Sequence, residues 1–560
     1  MTARDRTDGP PGSAPELLAT SGERARRYRA AGAWRDEAVG ELVLRGGREH
    51  PGSCALVDGD RRFTHAELAA TVTAVAHRLR GLGIRAGDRV AVQLPNRAEF
   101  VLLTLGLLLL GAPPVLIVPT MGERELEETV AVAAPVAFAV GARRGAARQV
   151  ELARRLRDRH PGLQTLLVTD GDNTTPGEVD LTGLCRPPED PPEPRPGLLD
   201  RVDPAGAAVF LLSSGTTGLP KMIPRLHEEY GCMTRRTTVV SGVSARSRLL
   251  VVMPAAHGYV YNCPGILGTL AAGGRVVLGS AGDPHAAFEL VETERVTHCA
   301  LVPAVVTEWL RAAPASERDL SSLEVIQVGG APLPPSVAAR IGPELGVTLQ
   351  QVYGMSEGPV FTTGLDDPED IVLNTQGRPD NDLDEVLVVD PAGRPLPAGE
   401  VGELLVRGPH TIAGYYRDPE ATRTTFRADG FYRTGDLATL RPTGELVVTG
   451  RIRDAINRGG QKISAEELDA LTATHPAVRS SATIGAPDDV LGEIVCVYLV
   501  PHKEASVSLG QMRMYLAEQG VARHKLPERL ELIDSLPMTG TGKIDKKALR
   551  DDLRGRMAAR

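Results

Sequence analysis

Cysteine is scarce and scattered in this chain, with six in 560 residues (54, 185, 232, 263, 299 and 496) and no Cys-x-x-Cys pair. That distribution argues against a structural zinc site and suits free thiols in a reducing cytoplasm. A basic excess is also missing: 63 Lys and Arg stand against 71 Asp and Glu, a net charge of −8. No basic stripe dominates, which argues against nucleic acid as a partner. An unbroken apolar run long enough for a bilayer is absent too. The nearest, Val101 to Val118, is interrupted by Gly106, Gly111 and Pro113-Pro114, with Glu99 and Glu123 close by. It predicts a buried helix, a turn and a buried strand rather than a membrane span. Residues 1–15 are polar and rich in Gly and Pro, without the apolar core of a signal peptide, and predict a disordered tail.

What is present is length and alternation. A chain of 560 residues exceeds one domain and can bury the core of a large enzyme. Between residues 60 and 300, β-rich runs (Arg89–Leu94, Pro114–Val118, Leu249–Met253, Gly274–Leu278) alternate with helical patterns at Thr64–Leu82 and Glu99–Leu110. Such alternation predicts parallel sheets covered by helices on both faces. Arg186 to Pro196 is a Pro-rich surface connector. After about residue 385, short strands (Glu385–Asp390, Gly402–Arg407, Gly444–Thr449) give way to helices at 464–471 and 509–519. We expect a small terminal α+β unit, with a boundary near Gly450–Arg453.

The most informative stretch is Leu212-Ser-Ser-Gly-Thr-Thr-Gly-Leu-Pro-Lys221, which follows the strand-like run Ala207–Leu212. Gly215 and Gly218 let N–H groups and hydroxyls converge on an anion, and Lys221 adds a point charge suited to phosphate. The Walker spacing is not matched. Six further stretches follow in order: Met253-Pro-Ala-Ala-His-Gly258, Gly329-Gly-Ala-Pro-Leu333, Tyr353-Gly-Met-Ser-Glu357, Tyr432-Arg-Thr-Gly-Asp-Leu437, Gly450-Arg-Ile-Arg-Asp454 and Pro537-Met-Thr-Gly-Thr-Gly-Lys-Ile-Asp545. Each is weak alone. Seven in this order and at these spacings are not a chance set.

Together they closely resemble the adenylate-forming superfamily of acyl-CoA synthetases, luciferases and peptide-synthetase adenylation domains, over roughly residues 35 to 550. Ile223–Tyr230, Val352–Asp366, Thr375–Pro379 and Ile456–Lys462 look like its stand-alone aryl-acid AMP ligases, such as those activating 2,3-dihydroxybenzoate or salicylate. The resemblance implies an α/β fold: a large N-terminal domain (residues 16–450) with two doubly wound mixed sheets plus a β-barrel, and a small mobile α+β C-terminal domain (451–560). It also implies ATP and Mg²⁺ as cofactors.

The resemblance further assigns roles. Ser213, Ser214, Gly215, Thr216, Thr217 and Gly218, with Lys221, would hold the β- and γ-phosphates. Glu357 would ligate Mg²⁺, supported by Ser356; a hard oxygen suits that ion. Tyr353 would stack on adenine, with the backbone around Gly330 and Ala331 lining the base, and Gly354 and Met355 would also belong to the nucleotide site. Asp436 would accept from the ribose hydroxyls, and Arg451 would contact ribose or phosphate. Lys543 would bridge carboxylate and α-phosphate in the first half-reaction. Arg453 would be the hinge about which the C-terminal domain turns, and Gly459, Gly460 and Lys462 would face the cleft in the second step.

The acid pocket implied by the resemblance is formed by His257, Gly258, Tyr259, Asn262, Cys263, Gly329, Val352 and Val360. Domains that activate α-amino acids carry Asp where this chain has Gly258, and hydroxybenzoate ligases carry Asn. Gly258 can make neither contact and is expected to leave room for an ortho amino group, a ring nitrogen or a bulkier substituent. Cys263 resembles salicylate ligases more than dihydroxybenzoate ligases. His257 either gates the path to the thiol, as in related enzymes, or is a buried His bonded to backbone. The expected acyl acceptor is a phosphopantetheinyl carrier protein, with free coenzyme A as the alternative. An ATP-dependent diazotase activating nitrite and a non-catalytic nucleotide-binding homologue are the other readings.

Overall fold

In the computed structural model the described residues are 20, 22–141, 147–169, 176–189, 202–213, 220–280, 282–452, 454–458, 461–488, 491–503, 505–519, 521, 523–539 and 542–558. The expected tail, Ser214 to Gly218, Arg453, Gly459 and Gly460 lie outside them, and so does the side chain of Lys462.

Two mixed sheets form the bulk of the molecule. One has nine strands in the order Arg378–Pro379, Val360–Thr362, Thr348–Gly354, Val325–Gly329, His298–Leu301, Arg248–Val251, Arg275–Leu278, Cys54–Asp58, Arg61–Thr64. Its central strands run parallel, and the strands toward each edge pair antiparallel. The other has seven strands in the order Glu178–Asp180, Thr165–Thr169, Ala137–Gly141, Val90–Gln93, Pro114–Leu116, Ala207–Leu212, Met222–Leu226, parallel except for the last pair. Helices pack on these sheets because parallel strands present apolar residues on both faces. Helix His65–Gly81 starts with a capping box, Thr64 and Glu67 exchanging side-chain and backbone bonds.

The apolar run near residue 110 behaves as expected. Ala98–Leu110 is a helix buried almost all round, packing with residues of both sheets in one core that includes Leu56, Val276, Val92 and Leu116. Its one carboxylate, Glu99, is buried and accepts from Arg61 Nη2 at 3.0 Å. Gly111 ends the helix at φ 72°, a left-handed cap that a glycine adopts without a Cβ clash, and strand Pro114–Leu116 follows. Among the described residues, no helix is long and apolar enough to cross a membrane.

The stretch after about residue 385, expected as short strands, is a four-stranded antiparallel meander of Glu385–Val389, Gly402–Arg407, Tyr432–Leu440 and Leu446–Arg451. Beyond it, Ile456–Arg458, Gln461–Ile463, Val478–Asp488, Gly492–Pro501 and Arg529–Leu532 build a separate five-stranded sheet. Helices Ala465–Thr472, Leu509–Glu518 and Lys546–Ala558 accompany it. This C-terminal α+β unit has cores of its own: Val497, Leu499, Met512 and Leu516 meet in one, and Ile484, Tyr498, Leu549 and Leu553 in another.

Candidate active site

The site is built at the carboxyl ends of parallel strands, where a doubly wound sheet opens a crevice. Ser213 follows strand Ala207–Leu212, and Lys221 precedes Met222–Leu226. The base of the intervening loop is closed by two bonds: Ser213 N–H to the Lys221 carbonyl (3.0 Å) and Lys221 N–H to Ser213 Oγ (2.9 Å). The Lys221 ammonium lies 4.7 Å from the centre of the Tyr415 ring, a cation–π distance.

Glu357 follows strand Thr348–Gly354 and is 8% exposed. Burial raises its pKa, while the Tyr415 hydroxyl, donating to Oε1 at 2.9 Å, and the Lys221 charge pull the other way. Gly358 beside it sits at φ 136°, and a Cβ there would lie 1.9 Å from the His410 carbonyl oxygen, so only glycine fits this turn. Arg225, fully buried, holds the turn from below. It donates to the carbonyls of Ser356 (2.9 Å) and His410 (2.8 Å) and pairs with Glu229 at 2.7 Å. Neither Arg225 nor Tyr415 had a role in the sequence reading. Backbone carbonyls as partners leave no signature in a sequence; the Arg–Glu spacing of four was the only available hint.

Asp436 and Arg451 face each other across adjacent strands and pair at 2.9 Å (Arg451 Nε to Oδ1). Tyr353 donates its hydroxyl to the other oxygen of Asp436 at 2.6 Å, and its ring stands edge-on to Phe361. Three of the residues expected around a base and ribose, Tyr353, Asp436 and Arg451, are thus joined, with the Asp436 carboxylate buried between the other two. Gly354 is exposed and Met355 and Ser356 are half-buried, on the turn that leads to Glu357. Gly330 and Ala331 follow strand Val325–Gly329, with Ala331 exposed.

Lys543 reaches this cleft from the C-terminal unit. Its hairpin is closed by the Met538–Ile544 bridge and by Lys543 N–H donating to Thr539 Oγ1 at 3.1 Å. Lys543 lines a narrow cavity of about 10 Å³, room for about one water, with Met253, His257, Tyr259, Val260, Val302 and Gly330. His257 caps helix Gly258–Asn262, its Nδ1 accepting from Tyr259 N–H at 3.3 Å. Burial, then the Lys543 charge, lowers its pKa to about 4, so the imidazole is neutral at neutral pH.

The remaining pocket residues fall into two sets. Val352, Val360 and Cys263 are buried in one apolar cluster with Val260 and Leu211, and the Tyr259 ring packs against it. Tyr259 comes so close to Gly329 that a Cβ there would lie 3.3 Å from the ring and 2.7 Å from the Val352 carbonyl oxygen. Asn262, by contrast, spends its carboxamide on the neighbouring helix: Oδ1 accepts from Thr234 (2.8 Å) and Nδ2 donates to the Tyr230 carbonyl (3.1 Å). A Cβ at 258 would lie 2.9 Å from Leu211 Cδ1, so the tip of a side chain from the other sheet borders the space expected there. Lys462 sits opposite Asn457 in the hairpin of Ile456–Arg458 and Gln461–Ile463. Among the described residues no three His, Cys, Asp or Glu side chains form a metal cage.

Anion-holding and carboxylate groups gathered at strand ends mark a nucleotide-activating α/β enzyme. The chain belongs to the AMP-binding enzyme family: the AMP-binding enzyme model matches residues 43–416, and the AMP-binding enzyme C-terminal domain model matches 467–543. Within it, the chain lies in the stand-alone aryl-acid AMP ligase branch. It is 45% identical over 537 residues to a salicylyl-CoA synthase / salicylate adenylyltransferase of a Streptomyces species, covering 95% of this chain and 97% of the other. A 2-hydroxy-7-methoxy-5-methyl-1-naphthoate–CoA ligase of Streptomyces carzinostaticus is 44% identical over 532 residues, covering 94% and 95%. Among solved structures, apo MbtA of Mycobacterium smegmatis superposes with a TM-score of 0.72 at 40% identity, covering 96% of this chain and 99% of that one.

Proposed function

We propose that this protein uses ATP to activate an aryl carboxylic acid as its acyl-AMP, and then passes the acyl group to the phosphopantetheine thiol of a separate carrier protein. The observation that carries this reading is Lys543 in a cavity bounded by Gly330 on one side and His257–Tyr259 on the other. A carboxylate attacking the α-phosphate brings two anions together, so a cation between them is what the step requires. The carboxylate oxygen forms a bond to phosphorus as the bond to the bridging oxygen breaks, and pyrophosphate leaves.

In this reading the Lys543 ammonium balances the charge that accumulates between the reactants. His257, neutral at working pH, adds no competing charge beside it. Asp436, fixed by Tyr353 and Arg451, keeps oxygen lone pairs for the ribose hydroxyls. Lys221 and the loop it closes take the β- and γ-phosphates. The donor set fits Mg²⁺: one buried hard carboxylate, Glu357, and no all-protein cage among the described residues, as expected for an ion that keeps waters and phosphate oxygens as ligands. Bound there by Glu357, Mg²⁺ would neutralise phosphate charge. Arg453 as hinge, and Gly459, Gly460 and Lys462 as second-step residues, remain part of this proposal, with a boundary near residue 450.

The acid is a flat ring between apolar walls, with Val352, Val360 and Cys263 around it. Gly258 backed by Leu211 offers no side-chain partner to an ortho hydroxyl and little added space. That supports a substituted benzoate of anthranilate-like or heteroaromatic kind over one bulkier at that position. Coenzyme A as acceptor is the second reading, because two relatives above 40% identity are a CoA synthase and a CoA ligase by name.

Acid-dependent ATP–pyrophosphate exchange tests the activity, across benzoate, salicylate, 2,3-dihydroxybenzoate, anthranilate, picolinates and α-amino acids. Strongest exchange with a 2-amino or heteroaromatic acid is expected. Preference for salicylate would keep the chemistry and overturn the pocket reading; silence with every acid would overturn both. Thioester formation on a carrier protein against free coenzyme A then decides the acceptor.

A further inference from the structure

We propose that Tyr415 is a positioning residue that couples the phosphate-side lysine to the metal-side carboxylate, through its ring to Lys221 and through its hydroxyl to Glu357. The proposal rests on the ATP–Mg²⁺ reading of the site and adds a residue to it. Tyr415 is 5% exposed and makes both contacts at once: Oη donates to Glu357 Oε1 at 2.9 Å, and the ring faces the Lys221 ammonium at 4.7 Å. Lys221 and Glu357 come from different sheets, separated by more than a hundred residues. A single rigid aromatic side chain therefore spaces two groups that must meet one polyphosphate and its ion.

The tyrosine is itself held in place. Its backbone N–H donates to Thr422 Oγ1 (3.0 Å), and Thr422 in turn donates to the Asp418 carbonyl (2.8 Å). Its ring packs edge-on against Phe426. The segment before it is laced to the Glu357 turn by Ile412 N–H on the Glu357 carbonyl (2.9 Å). A mobile surface tyrosine would not be fastened on three sides. The hydroxyl fixes which way the carboxylate points; the ring fixes how far the ammonium stands from it.

The two contacts can be separated. Tyr415→Phe keeps the ring against Lys221 and Phe426 and removes the hydroxyl with its bonds to Glu357 and Tyr432; Tyr415→Leu removes the ring contact as well. The half-saturating Mg²⁺ in acid-dependent exchange is expected to rise about tenfold in Y415F, with the KM for the acid unchanged. Y415L is expected to raise the KM for ATP as well. Binding of Mn²⁺–ATP to the protein without any acid, read as the enhancement of water-proton relaxation over Mn²⁺–ATP alone, should weaken by the same factor in Y415F. That readout needs no turnover, so it stands whatever acid the enzyme takes. If Y415F melts well below the wild type, Thr422→Val, which releases the Tyr415 N–H, should shift the metal dependence in the same direction. Wild-type Mn²⁺ binding and Mg²⁺ dependence in a folded Y415F would overturn the proposal. If the wild type itself binds no Mn²⁺ with ATP, the ATP–Mg²⁺ reading of the site fails first.

Discussion

The hydroxyl of Tyr353 donates to Asp436 Oδ2 at 2.6 Å while Arg451 pairs with Oδ1 of the same carboxylate at 2.9 Å. Two residues from two other motifs thus fix one acceptor in a buried position. A carboxylate held on both oxygens has little freedom left to lose on taking up the ribose that the proposal assigns to it.

Removing that acceptor should act on the nucleotide and spare the acid. Asp436→Asn is expected to raise the KM for ATP by about tenfold or more, and Tyr353→Phe by less, because Arg451 still orients the carboxylate. Initial rates of exchange at varied ATP and fixed acid check this; an effect confined to the acid KM would contradict the assignment.

Lys543→Ala should cost about 10²- to 10³-fold in acyl-AMP formation, the usual loss when one positioned transition-state donor is removed. ATP binding, followed by equilibrium dialysis, should stay near wild type. Thioester formation from pre-made acyl-AMP should also survive, since in the proposed cycle it follows the step assigned to this lysine. Full adenylation in the variant would sink the role.

Acid sensitivity should carry a His257 component. Its folded pKa, about 4, lies below the unfolded value of 6.5, so the folded state binds fewer protons between them. Stability from this group is present above pH 6.5, declines as pH falls, and is gone near pH 4. Thermal melts of wild type and His257→Gln across that window should converge as pH drops, because the variant lacks the titrating ring. Parallel curves would show that position 257 does not contribute.

The contact between Leu211 and Gly258 makes a double-variant prediction. Gly258→Asn alone should cut exchange with all acids, since the new Cβ meets Leu211 Cδ1 at 2.9 Å. Leu211→Ala combined with Gly258→Asn should recover activity and favour ortho-hydroxy acids, about tenfold over their unsubstituted analogues, through the new amide. Additive losses in the double variant would mean the two positions do not share a wall.

Much of the fold was legible. The run from Val101 to Val118 gave its helix, its Gly111 cap and its strand, because local chemistry alone decides where a buried helix stops. Helices read at Thr64–Leu82 and 509–519 appear as His65–Gly81 and Leu509–Glu518. The site was legible only as a set of ordered motifs. At Gly258 the sequence could not show that the tip of Leu211, from a strand 47 residues earlier, stands beside the glycine. Asn262 reads as a pocket residue by position, yet its amide is taken by Thr234 and Tyr230. Arg225 and Tyr415 stayed hidden because their partners are backbone carbonyls and a carboxylate brought close only by folding.

The sequence by itself determined the alternation of strands and helices, the order of the seven motifs and the chemistry each can offer. Those follow from side-chain type, spacing and turn residues, all of which act over a few positions. Tertiary structure alone decided which of those groups touch. Strands of two sheets, a meander and a C-terminal hairpin converge on one crevice, and there Lys543 meets Gly330, Tyr415 meets Glu357 and Leu211 covers Gly258. Such contacts depend on how apolar faces pack against one another, and a chain read one residue at a time carries no record of that distance.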